Sequence, residues 1–239
     1  MRPTMTYSIL ARDPATGALG AAVASRFFAV GAICNHVEGV IAALSTQALV
    51  NPMYAVQAMP RLRAGEAPEV ALASLVGADP GADQRQFHIL DAAGRIAQHT
   101  GANCVIWAGH GRGPDVSVAG NMLAGPQVVQ RTLEAYLGSS GSLAGRLIHA
   151  LEAGEAAGGD KRGKQSAALK ICTRDPYPDL DIRADDHPDP LAELRRLYRV
   201  SMERFAVFRR HVPGRDNPTG TLDRNIIDAD IARDRIAPG

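Results

Sequence analysis

The stretch from Thr6 to Gln47, TYSILARDPATGALGAAVASRFFAVGAICNHVEGVIAALSTQ, constrains this chain more than any other. Short apolar runs alternate with turn residues, which is the spacing of strands rather than of helices. Residues 7–11 read as a strand, 13–17 (DPATG) as a tight turn and 18–25 as the returning strand. Proline fixes φ early in such a turn, and glycine accepts positive φ at its end. A second strand pair is expected over 29–35 and 39–45. The sheet begun in this way opens on a hydroxyl residue, Thr6, and closes just ahead of a helix.

The rest of the chain alternates in blocks. Asn51-Pro52 is a helix opening, because Asn accepts from the unpaired first-turn N–H groups and Pro suits the first helical position. Gly65 ends that helix, and Pro68 starts another over 69–76. A hairpin is expected from 84–91 and 95–100 around Ala92-Ala93-Gly94. Short strands at 105–108 and 116–121 flank a glycine-rich loop, 109–114. Helices follow at 126–137 and, capped by Ser142, at 143–156; a strand follows at 165–173. Paired helices between groups of strands indicate a layered α+β domain rather than a βαβ array. The punctuation Asp185–Pro190 precedes an Arg-rich amphipathic helix at 191–208. Beyond it, Leu222, Ile226, Ile227 and Ile231 suit a short docked helix. The expected organisation is therefore an extension at 1–5, one domain at 6–190, and a C-terminal helix and tail at 191–239.

A length of 239 residues suits one large domain, and a net charge of +1 with no dense Lys/Arg block argues against nucleic acid or an anionic membrane as partner. No run approaches the roughly 18 apolar residues of a membrane span, and the N-terminus lacks the pattern of a signal peptide. The three cysteines, Cys34, Cys104 and Cys172, have no metal-type spacing and read as thiols of a reducing cytoplasm. The scattered histidines form no HxH or HExxH pattern, so no metal site is expected.

Five segments together resemble one family. They are MTYSILARDPATGALGAAVASRFFAVGA (5–32), STQALVNPMY (45–54), GNMLAGPQVV (120–129), AGGDKRGKQSAAL (157–169) and DDHPDPLAELRRLY (185–198). On these the chain is identified as a member of the domain of unknown function 1028 family. The resemblance implies the N-terminal-nucleophile (Ntn) hydrolase-like fold, a four-layer αββα sandwich, and makes a homodimer the expectation. A weaker similarity runs to proteasome β subunits, where an Ala-Asp-Ser-Arg segment follows the Thr-led strand. Here that segment reads Val23-Ala24-Ser25-Arg26, and the acidic residue is replaced by Ala24.

Thr6 is the first candidate for chemistry. An N-terminal threonine can act as nucleophile and base at once, because its α-amino group titrates near neutrality and can take the hydroxyl proton. This requires Thr6 to become the terminus, by a start at Met5 or by loss of residues 1–5; the plain alternative is a β-branched residue opening a strand. Ser8, two residues on, shares its strand face and is the internal fallback nucleophile, or, without a partner base, a packing residue. Ser25 and Arg26 are candidates for holding a substrate carboxylate, or for keeping the amine neutral. The proteasome similarity places an oxyanion donor at Thr46–Gln47, with the Gln47 amide as a contact. Asn121, in the glycine-bracketed run 120–125, is a further oxyanion candidate. In the polar run 158–166, Asp160, Arg162 and Gln165 are candidate contributors at the start of a strand. The expected activity is hydrolysis of an amide bond in a small molecule or short peptide. The alternatives are a non-catalytic binding protein on the same scaffold, or an assembly protein using helix 191–208.

Overall fold

The computed structural model describes residues 6–104, 107–159 and 163–234. In chain order the strands are β1 (Thr6–Arg12), β2 (Leu19–Ser25), β3 (Asn35–Glu38), β4 (Ala42–Ala48), β5 (Arg85–Asp91), β6 (Ile96–Thr100), β7 (Trp107–Gly113), β8 (Val116–Leu123), β9 (Ser166–Cys172) and β10 (Leu180–Ala184). The helices are α1 (Val30–Ile33), α2 (Met53–Arg63), α3 (Pro68–Ala78), α4 (Pro126–Leu137), α5 (Leu143–Ala156), α6 (Pro190–Glu203), α7 (Phe205–Phe208) and α8 (Arg224–Asp234). The protein is thus mixed α+β. Among the described residues the strands form a six-stranded sheet, β10-β9-β2-β1-β8-β7, and a four-stranded sheet, β3-β4-β5-β6. Every pairing is antiparallel.

Period-two alternation explains how the sheets are buried. On β1, Tyr7, Ile9 and Ala11 enter a core with Val128 of α4, Leu147 and Leu151 of α5, and Leu191 and Leu194 of α6. Leu10, on the opposite face, meets Ala43, Leu90 and Ile96 of the smaller sheet. The smaller sheet turns Leu44, Phe87 and Ile89 to its other side, under Tyr54 and Ala58 of α2 and Leu72 and Leu75 of α3. Both sheets therefore carry helices outside and face each other inside. A strand buried on both faces reads as a continuous apolar run, as Thr6–Arg12 does, since only Arg12 is not fully buried.

Several elements form for the expected reasons. Asp13 accepts from Ala15 N–H and Thr16 Oγ1 in the β1–β2 turn, and Gly17 takes φ 75°. Asn51 Oδ1 accepts from Met53 N–H at the start of α2. Ser142 Oγ accepts from Gly145 N–H at the start of α5.

Other elements differ from the sequence expectation. Residues 29–35 are not one strand. Ala29 takes φ 51°, its N–H donates to Asp185 O, and the single turn α1 precedes β3. The cause is docking on β9, since a Cβ on Gly31 would lie 2.1 Å from Ala168 Cβ. The glycine-rich segment expected as a loop is mostly strand β7. Its glycines let α4 approach, with Val129 Cγ1 at 3.2 Å from a Cβ built at Gly111 and Leu137 Cδ1 at 3.2 Å from one at Gly113. Gly120 and Asn121 lie within β8 rather than in a loop. β10 was not expected, being a short strand with mostly exposed alternate positions. The helix expected over 191–208 breaks at Arg204, where φ is −144°.

Candidate functional site

Four strand ends of the larger sheet converge at the head of β1. Thr6 pairs with Ser25 at the end of β2 on one side and with Asn121 near the end of β8 on the other. Ser166 opens β9 opposite Ser25. Thr6 is 6% exposed, and its Oγ1 lies 3.1 Å from Ser25 Oγ. Asn121 Nδ2 donates to Thr6 O at 3.4 Å and to Gln86 Oε1 at 3.1 Å. Gln165 N–H donates to Ser25 O at 2.9 Å, and its side chain reaches Asp186 Oδ1 at 3.1 Å. Arg26 is exposed, with Nη1 3.5 Å from Lys164 O. Thr6, Ser25, Asn121 and Gln165 are thus neighbours, although 159 positions separate the first from the last. Asp160 and Arg162 lie outside the described residues.

The smaller sheet contributes from the facing side. Gln47, at the end of β4, accepts from Ser8 Oγ at 2.8 Å and donates through Nε2 to Gln86 Oε1 at 2.7 Å. Thr46 does not join this group. Alternation turns its side chain towards Asn51, with Oγ1 3.2 Å from Asn51 O, and its N–H donates to Cys34 O.

Sequence reasoning passed over the centre of this arrangement. His88 is fully buried between the sheets, with Nε2 2.9 Å from Ser8 Oγ and Nδ1 2.7 Å from Ser117 Oγ. Gln98 Nε2 donates to Ser117 Oγ at 3.0 Å. Gln86 Nε2 reaches the carbonyls of Gly109 and Gly120, each at 3.0 Å, and Thr100 Oγ1 at 2.9 Å. A fully buried imidazole pays heavily for charge, so desolvation, with His110 nearby, pushes His88 down to about 3. The available signal was the alternation in Gln86-Phe87-His88-Ile89. Polar positions on a strand read as a wet face; here that face meets a second sheet. The space between the sheets is therefore apolar at one end, around Leu10 and Leu90, and polar at the end that carries Thr6.

Fold and site define a two-sheet α+β protein with a hydroxyl-led central strand at the meeting of several strand ends. The chain belongs to the family of unknown function DUF1028, whose model matches residues 6–194. The crystal structure of protein SPO2555 from Silicibacter pomeroyi, of the same family, is 31% identical, with a TM-score of 0.85 over 92% of this chain and 100% of that one. Anbu (ancestral beta-subunit) from Yersinia bercovieri aligns at 12% identity and a TM-score of 0.38, over 87% of this chain and 98% of its own, a likeness too distant to carry an argument. No curated protein matches the chain. Among the described residues no helix is long and apolar enough to cross a membrane.

Proposed function

We propose that the two facing sheets and their outer helices form the four-layer sandwich of the Ntn hydrolases, and that the protein hydrolyses an amide bond in a small molecule or short peptide. The observation that carries this reading is the setting of Thr6: it heads a central strand, between Ser25 and Asn121, with its Oγ1 3.1 Å from a second hydroxyl. Residues 1–5 are absent from the active form. The freed α-amino group of Thr6 takes the proton of its own hydroxyl as Oγ1 attacks the substrate carbonyl carbon. The tetrahedral adduct collapses, the C–N bond breaks, and the amine leaves with that proton. Water, deprotonated by the same amino group, then attacks the ester. The acid is released and Thr6 Oγ1 recovers its proton. Ser25 holds the attacking hydroxyl. Asn121 fixes Thr6 through its carbonyl oxygen. Arg26 and Gln165, on neighbouring segments, bind the substrate, and Arg26 suits a carboxylate; Asp160 and Arg162 are assigned to the same role from the sequence alone. The reaction needs no cofactor.

The intact mass of the untagged protein from its own host tests this reading. A chain beginning at Thr6 is expected, and one that keeps Met1 overturns it. A second reading, a binding protein on the same scaffold, is favoured by the near-complete burial of Thr6 and by Ala24 packing into the apolar core where a proteasome-type acid would stand. That reading expects Met1 to be retained.

A further inference from the structure

The buried Ser8–His88 pair has the outward form of a nucleophile and its base. The direction of its hydrogen bonds follows from groups whose polarity is fixed. Gly109 O and Gly120 O can only accept, so the carboxamide of Gln86 must turn its NH2 towards them and its Oε1 away. Gln86 Oε1 then requires donors, and it receives them from Asn121 Nδ2 and Gln47 Nε2. Gln47 is thereby oriented with Oε1 towards Ser8, and the single Ser8 proton goes to it at 2.8 Å. Ser8 Oγ has no second proton for His88. The 2.9 Å contact is satisfied only if His88 Nε2 carries the hydrogen and donates to Ser8.

The other end of the chain of bonds gives the same answer independently. Gly111 O accepts from Gln98 Nε2 at 2.8 Å, which orients that carboxamide too. Gln98 Nε2 also donates to Ser117 Oγ at 3.0 Å. The Ser117 proton is then directed at His88 Nδ1, 2.7 Å away, which must be bare. Backbone carbonyls of β7 and β8 thus set both ends, and the ring between them has one consistent tautomer.

We propose that Gln86 is the positioning residue of the Thr6 site: it holds His88 as the neutral Nε2–H tautomer and aims the Asn121 carboxamide at the carbonyl of Thr6. In this arrangement Ser8 is no nucleophile, because the nitrogen facing it already holds a proton and its own hydrogen points to Gln47. The burial that disfavours imidazolium acts in the same direction. The wiring stands on the bond geometry alone, whereas its service to Thr6 rests on the hydrolase reading above.

The test is the ring nitrogen spectrum of His88 in the uniformly ¹⁵N-labelled full chain at pH 7, assigned by its loss in His88→Gln. A protonated, pyrrole-type Nε2 and a bare, pyridine-type Nδ1 are expected; the reverse pattern, or a ring protonated at both nitrogens, overturns the proposal. Gln86→Met keeps the shape and removes the polarity. In folded Gln86→Met, His88 is expected to move to Nδ1–H or to a mixture and the Asn121 side-chain amide to shift; a His88 tautomer unchanged in that variant also overturns the proposal. If that variant does not fold, the unsubstituted chain still decides the matter. On protein beginning at Thr6, acylation of Thr6 by a β-lactone is expected to slow roughly tenfold or more in Gln86→Met, and an unchanged rate removes the positioning role. Failure of the unsubstituted protein to react at all, with His88 still Nε2–H, sinks the hydrolase reading and leaves the wiring standing.

Discussion

His88 is where a single residue most strongly links folding to conditions. Its ordinary value is 6.5, and burial lowers it to about 3 in the folded protein. Between those values the unfolded chain binds a proton that the folded chain refuses, so stability present above about pH 6.5 is lost as the pH falls towards 3. One proton gives a slope of about 1.4 kcal/mol per pH unit at most. Urea unfolding at pH 6.5 and pH 5 should therefore show the unsubstituted protein losing about 2 kcal/mol more than His88→Gln across that interval; parallel losses would mean that His88 is not the group responsible. The window lies above the range where Asp79 matters, since Gly81 N–H and Tyr54 hold that carboxylate down at about 2. The sequence disclosed Thr6, Ser25 and Asn121 as candidates but not their contact, and it did not disclose His88. A lone histidine on an alternating strand is silent about what lies opposite, and which sheet covers that face is a property of the assembled fold.

At the scale of elements, legibility followed how local the cause was. α4 and α5 begin and end where the sequence places them, because Pro126 at the start of α4, the Ser142 cap of α5 and the apolar spacing of both lie within the segment. α1 and β7 were misread because distant partners shape them: β9 presses on Gly31, and α4 lies over the glycines of β7. The α4–α5 contact relies on the same device. A Cβ at Gly154 would lie 2.3 Å from Thr132 Oγ1 and 2.9 Å from Tyr7 Cε2. Gly154→Ala should lower the unfolding free energy by about 1–3 kcal/mol, by overpacking, despite the better helix propensity of alanine. A stabilised variant in urea titration would mean that the helices can part at no cost. Ser142→Ala should cost about 1 kcal/mol, because the Gly145 N–H loses its acceptor.

At the scale of the molecule, the C-terminal segment from α6 onward divides by what it buries. Leu191 and Leu194 of α6 belong to the same core as β1, whereas α8 buries only Ile231 and leaves Ile226 and the preceding Leu222 exposed. Its Arg204–Asp228 ion pair, at 3.3 Å, is exposed and contributes little. Truncation after residue 220 should therefore cost about 1.5–3 kcal/mol, the burial of one isoleucine. Truncation after residue 189 removes two core leucines, each worth about 2–5 kcal/mol, and should abolish cooperative melting. Equal losses from the two truncations would contradict this division. That sharing is not legible in the sequence, since Leu191 and Leu194 show an apolar helix face but not the sheet it covers. The proposal that Thr6 Oγ1 acts as the nucleophile is the central claim. It is tested most directly by treating protein that begins at Thr6 with a β-lactone and locating the adduct by fragment mass spectrometry. The account predicts one acyl group on Thr6, absent from Thr6→Ala. No adduct, or an adduct on Ser8 that persists in Thr6→Ala, would contradict it.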